Sequence, residues 1–197
     1  MNTIRRTRYF SEWLFSLRDA RARSKILSRI ERAALDNWGD HKNCGGPIWE
    51  MRIDYGPGYR LYYARQADCV YLLLCGGDKS SQNADIALAH EMWGQINMDT
   101  YMLETAPFDA AEYLRTDEDI HAYLEEVISE NDPKMFLQAL NTIARAKGMT
   151  RLAEETGIPR ESLYQSLSEK GNPCFSTLWK VAEALGCTLV LRKSARA

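Results

Sequence analysis

The sequence has no apolar run long enough to span a bilayer, so no membrane helix is expected. Its opening, MNTIRRTRYFSEW, is basic but is followed by no apolar stretch, so no secretory leader is expected either. Cysteine is sparse and unpatterned: five residues (44, 69, 75, 174, 187), an odd number without a C-x-x-C spacing. That argues against a disulfide framework and for free thiols in a reducing cytosol. The three histidines (41, 90, 121) are scattered, so neither a metal nor another cofactor is expected. What remains is an ordinary soluble composition, 45% hydrophobic and 26% charged, and 197 residues suffice for one large or two small domains.

The formal net charge of -2 conceals a partition. Residues 1–97 carry a net +3, residues 98–132 a net -10 and residues 133–197 a net +5. Two basic ends flank an acidic middle, a pattern that points to charged partners more than to fold.

Hydrophobic periodicity divides the chain at the same places. NTIRRTRYF predicts a short edge strand entering a helix; Trp13, Leu14 and Leu17, then Ile26, Ile30 and Ala33, mark two helices with arginine on their other faces. Residues 37–48 are expected to be loop. Period two follows: Trp49, Met51, Ile53 and Tyr55 alternate with Glu50, Arg52 and Asp54. After the GPG turn, Tyr59, Leu61, Tyr63 and Arg65 alternate with Arg60, Tyr62 and Ala64. CVYLLLC (69–75) completes an antiparallel meander. Ser80 or Ser81 caps a further helix striped by Ile86, Ala89 and Trp93. A boundary is expected after Trp93. Beyond it, residues 109–116 and 117–130 read as two acidic amphipathic helices whose apolar stripes (Tyr113, Leu114, Ile120, Tyr123, Leu124, Val127) need burial. From Pro133 the chain reads as a compact helical domain: a helix closed by Gly148, two more joined at Gly157, one over about 176–185, and a strand-like CTLVLR (187–192).

Two motifs carry function. TRLAEETGIPRESLYQSL (150–167) resembles the helix-turn-helix of the Cro/C1-repressor type. Ala153 permits close helix crossing, Gly157 supplies the left-handed turn, Ile158 and Leu163 lock the second helix, and Pro159 suits its first position. The second helix would present Arg160, Glu161, Ser162, Tyr164, Gln165 and Ser166 to base edges in the major groove. Arg151, Lys170 and Asn172 would hold phosphates.

The second motif comprises EMRIDYGPGYRLYY (50–63) and LLCGGDKSSQNADIALA (73–89). It resembles the HigB-type killer proteins of the RelE/ParE toxin superfamily, over about residues 1–95. Residues 102–197 look like the HigA-type antidote partner; Met98 and Met102 are each credible starts for an independent antidote. The resemblance implies an α+β chain: a RelE/ParE-like antiparallel sheet with helices (1–97), an acidic linker with toxin-masking helices (98–132), and an all-α helix-turn-helix domain (133–197). It implies a cytoplasmic toxin–antidote pair in one chain, masked in cis or between chains, with mRNA on the ribosome and operator DNA as partners and a homodimer on two-fold DNA.

The implied reaction is ribosome-dependent mRNA cleavage, in which a 2′-hydroxyl attacks the adjacent phosphate to leave a cyclic phosphate and a 5′-hydroxyl. Arg60 is the first choice for charge neutralisation, Lys79 the second, with Arg52 beside them; an arginine stays protonated and cannot be the base. Arg65 would grip phosphate, and Tyr55 and Tyr62 would stack a base. The position of a catalytic tyrosine in some family members falls near Asp85, and His90 lies on the same helix. Two alternatives stay open: a ParE-like inhibitor of DNA gyrase, and a plain repressor with an inactive N-terminal domain. The acidic helices are expected to cover the cationic face that bears Arg52, Arg60 and Lys79.

Overall fold

The computed structural model describes residues 2–97, 104–168 and 171–190. It divides into two compact units, Met1–Glu130 and Asn131–Ala197. No described helix is long and apolar enough to cross a membrane.

The first unit is a six-stranded mixed sheet in the order β2-β3-β4-β5-β1-β6, carrying helices on both faces. The strands are β1 (Thr3–Thr7), β2 (His41–Asn43), β3 (Ile48–Ile53), β4 (Tyr59–Ala67), β5 (Val70–Gly77) and β6 (Thr105–Pro107). The expected meander is β3-β4-β5, with Arg52 opposite Arg60 and Trp49 opposite Tyr63. β1 runs parallel to β5 and antiparallel to β6, so it is an interior strand, not the edge that its sequence suggests. The stretch 37–48 is not all loop either, because His41–Asn43 pairs with β3.

Helices α1 (Arg8–Ser16) and α2 (Ala20–Ala34) are capped by Thr7, which accepts from the Phe10 N–H, and Asp19, which accepts from the N–H groups of Arg21 and Ala22. α3 (Gln82–Asn97) packs on the sheet face opposite α1. The two glycines that end β5 show why they are glycines. A Cβ on Gly76 would lie 2.2 Å from the Trp13 ring of α1, and one on Gly77 would lie 1.9 Å from the Asp85 carboxylate of α3. Under α3 lies a core of Ile48, Tyr62, Ala64, Leu72, Leu74 and Cys75 against Ala89 and Met92. Because α3 covers this face, Glu50 is fully buried.

The acidic middle completes this unit. β6 adds to the sheet beside β1, fixed by the Arg5 guanidinium donating to the carbonyl and hydroxyl of Thr105. Residues 109–116 form one 3-10 turn (Ala110–Tyr113), not an α-helix; eight residues closed at both ends are too few for the α-helical pattern to propagate. α4 (Asp117–Ser129) begins with a capping box, in which the Thr116 hydroxyl accepts from the Asp119 N–H and the Asp119 carboxylate accepts from the Thr116 N–H. Its stripe of Ile120, Tyr123, Leu124 and Val127 is buried, and α4 lies along α2.

The second unit holds α5 (Pro133–Lys147), α6 (Met149–Thr156), α7 (Arg160–Ser166) and α8 (Phe175–Ala184). Gly148 closes α5 at φ 95°, and Gly157 joins α6 to α7 in the left-handed region at φ 66°. Pro159 stands at the N-cap of α7, one residue before the helical position expected for it. Residues 187–190 carry no strand; the rest of the CTLVLR stretch lies outside the described residues, as do Met98, Met102 and Lys170.

Candidate functional site

The site grows from one buried carboxylate. Glu50 projects from β3 toward α3, where the strand alternation also puts Arg52, Arg60 and Tyr62. Its Oε1 accepts from Arg52 Nε at 2.6 Å, while Oε2 accepts from Gln82 Nε2 at 2.8 Å and from the Tyr62 hydroxyl at 3.4 Å. Arg60 Nε stands 3.6 Å from the same oxygen, too far for a hydrogen bond, and is a buried donor without a partner. Burial works to raise the Glu50 pKa, but the Arg52 and Gln82 hydrogen bonds and the Arg52 charge outweigh it and hold the group below the ordinary carboxylate range.

Around this anchor the chain gathers further polar groups. Arg60 donates to the Gly58 carbonyl at 2.7 Å, and the Arg60 guanidinium and the Lys79 Cβ both border Gly58, so both residues flank the GPG turn, with Lys79 exposed. Gly77 pairs with Arg60 across the ladder and lies under Asp85. Asp85 accepts from the Ser81 hydroxyl at 2.6 Å. Burial lifts the Asp85 pKa above the ordinary range, the Ser81 bond pulls it back, and the charge of Asp78 adds to the rise. The end of the sheet therefore holds the Arg52 and Arg60 guanidinium groups, the backbone of Lys79 and a carboxyl group whose pKa burial raises. That is the inventory for handling a phosphodiester: positive charge at the phosphate and a proton-transfer group beside it.

The structure brings Arg52, Arg60 and Lys79 to this end, lets Tyr62 reach Glu50 only from the core, and leaves Tyr55 and Arg65 elsewhere. Tyr62 is fully buried with its ring in the core and cannot stack a base. Tyr55 lies toward α2, its hydroxyl on Asp19 and its ring 5.7 Å from the Lys25 ammonium. Arg65 is at the far end of β4, exposed and bonded to Asp68 at 2.7 Å. His90 is exposed on α3, beside Gly45 and Gly46. Glu50 was missed because a lone Glu in an alternating strand reads as a solvent-facing residue; the signal available was its place on the strand face that also carries Arg52 and pairs with Tyr62.

The acidic segment covers a different surface from the one expected. Asp119 pairs with Arg23, Glu126 with Lys25 at 2.7 Å, Glu130 with Arg32 at 2.6 Å, and Glu112 with Arg6 at 2.6 Å. The Tyr123 hydroxyl donates to Glu31, and Tyr113 stacks on Phe15 with centroids 4.5 Å apart. The carboxylates thus neutralise the arginine-rich face of α2, while Arg52 and Arg60 are neutralised from within by Glu50. The reason is geometric: β6 fixes the segment to the β1 edge, from which α4 reaches α2.

In the helical unit α7 buries Leu163 and exposes Arg160, Glu161, Ser162, Tyr164 and Gln165; Ser166 is half-buried. The Arg160 guanidinium lies 5.5 Å from the Tyr164 ring centre. Arg151 is exposed on α6 with Glu155 2.8 Å away, and Asn172 is exposed in the loop after α7.

Residues 104–193 match a family model described as a probable addiction module antidote protein. Two uncharacterised proteins of Haemophilus influenzae (strain Rd) are similar to the chain. One is 46% identical over 86 residues, which is 44% of this chain and 87% of that protein. The other is 44% identical over 87 residues, which is 44% of this chain and 90% of that protein. No solved structure matches.

Proposed function

Since the chain belongs, through residues 104–193, to the family of probable addiction module antidote proteins, we propose that it is a toxin–antidote pair in one polypeptide. In this reading residues 1–97 are a HigB-like member of the RelE/ParE superfamily that cleaves mRNA on the ribosome. Residues from 104 onward are its HigA-like antidote and an autorepressor. One observation carries the reading: the family-matched segment begins as a strand and a helix docked on the sheet unit, with β6 beside β1 and α4 on α2 through three ion pairs.

The mask then acts by occupancy of the basic α2 face, not by covering the reacting cations. Arg23, Lys25 and Arg32 would otherwise meet ribosomal phosphates. In the reaction Arg60 and Lys79 neutralise the phosphate, the Gly58 carbonyl holds Arg60 beside the Glu50 carboxylate that Arg52 fixes, and Asp85 exchanges the proton. α7 enters the major groove, with Arg160, Glu161, Ser162, Tyr164 and Gln165 reading bases and Arg151, Lys170 and Asn172 on phosphates. A homodimer would span half-sites about one helical turn apart.

The test adds residues 1–97 to a translating extract and, separately, to a gyrase supercoiling assay. Defined mRNA cuts that vanish with Arg60→Ala uphold the reading. Intact mRNA with lost supercoiling would replace the nuclease with a gyrase inhibitor. Silence in both assays would leave a repressor.

A further inference from the structure

On the face opposite Glu50, and at the end of the sheet away from the GPG turn, a second polar-aromatic site exists. Trp38, His41, Trp49, Tyr63, Arg65 and Tyr71 line a cavity of about 230 Å³. Trp49, Tyr63 and Tyr71 alternate along their strands with Glu50, Tyr62 and Leu72, which face α3, so the two sites lie on opposite sides of the sheet. Tyr63, almost fully buried, is the floor. Trp38 stacks parallel to it, with centroids 4.9 Å apart and planes 13° apart, and meets Tyr71 at 4.4 Å. His41 tilts against Trp49 at 5.5 Å on the open side.

Five flat rings around an opening with one guanidinium at its edge select a planar ring that carries an anion. Cavities for drug-sized ligands run from about 300 Å³ upward, so this one has room for a single small ring system. A cationic guest that would suit the aromatic faces is disfavoured by Arg65. The Arg65–Asp68 pair is exposed on both sides, with side chains 57% and 99% accessible, and such pairs give way readily to a phosphate.

We propose that this cavity binds a nucleotide, its base against Trp38 and Trp49 and its phosphate on Arg65. The proposal extends the RNA-handling reading without depending on it, because binding here needs neither ribosome nor cleavage.

The test uses the intact chain without ribosomes. Tryptophan fluorescence is titrated with adenosine monophosphate and with tetraadenylate, and calorimetry supplies the stoichiometry. Saturable quenching by adenosine monophosphate is expected. Arg65→Ala should weaken it about tenfold, as loss of a charge-assisted hydrogen bond does. Trp49→Leu should weaken it between about fivefold and a hundredfold, the range for a stacked base. Asp68→Ala, which frees Arg65, should tighten it about twofold. Tetraadenylate binding more tightly than the monophosphate identifies an RNA strand as the source, and equal binding identifies a free nucleotide. Either result supports the site if it depends on Arg65. Absence of saturable quenching by both probes, or quenching untouched by Arg65→Ala, overturns it. Arg65 is a surface residue, so that variant keeps the test decisive even where Trp49→Leu fails to fold. Absence of mRNA cleavage by residues 1–97 in an extract, with nucleotide binding by the intact chain retained, would refute the nuclease and leave this site standing.

Discussion

Replacing Arg23 by Ala isolates the contact that docks the antidote segment. Arg23 donates to the Asp119 carboxylate and to the Leu17 carbonyl, and the two side chains of the pair are 16% and 5% accessible. Removing one partner of a buried pair costs about 3–5 kcal/mol, because the other charge is left without compensation. Here Asp119 would keep the Thr116 hydroxyl at 2.8 Å and the N–H groups of Thr116 and Arg115 at 3.1 and 3.2 Å. Arg23 is also partly open to water, so the cost should fall to about 2–3 kcal/mol. The loss should be local to α4. Hydrogen exchange followed by mass spectrometry should show α4 amides exchanging about 30- to 150-fold faster, while β4 and β5 stay within about threefold. Adding Asp119→Asn should recover part of the loss, since no lone buried charge then remains. Unchanged α4 protection would refute the reasoning, as would equal acceleration of α4 and β4, because the segment could not then open without the whole unit.

Glu50→Gln should cost about 3 kcal/mol in urea unfolding, because it leaves Arg52 and Arg60 without their internal counter-charge; a change under about 1 kcal/mol would show that Glu50 is not the anchor. Glu50 and Asp119 are both held below their ordinary pKa, so the unfolded chain takes up protons first. Their stabilisation should be complete above about pH 4–5 and fade as pH falls through the folded-state values, read as a falling melting temperature from pH 5 to 3; a flat profile there contradicts it. Gly157→Ala puts a Cβ on a residue at φ 66° and should destabilise the helical unit by about 1–2 kcal/mol, seen as an earlier transition by circular dichroism.

Local chemistry made several elements legible. The β3-β4-β5 meander follows from period-two alternation around a GPG turn, α5 and α6 from a proline start and glycine stops, and α4 from its apolar stripe. The interior place of β1 was not legible, since it depends on a parallel partner 67 residues away and on a three-residue strand too short to carry a pattern. Among the site candidates, the nearness of Arg60 and Lys79 to the turn was legible from their spacing about GPG, whereas the burial of Tyr62 was not, because alternation does not say which face a helix will cover. The charge of residues 98–132 foretold a basic partner surface. Which surface it was depended on where β6 anchors the segment, and Arg23, Lys25 and Arg32 met the carboxylates that Arg52 and Arg60 did not.

In the proposed function the segment before α5 keeps the sheet unit silent by occupying α2. The most direct measurement compares the intact chain with a variant in which Asp119, Glu126 and Glu130 are alanine, by primer extension on mRNA in a translating extract. Defined cuts are expected with the variant and none with the intact chain, and no cuts from the variant once Arg60→Ala is added. Equal cutting by the intact chain, or cutting that survives Arg60→Ala, would contradict it.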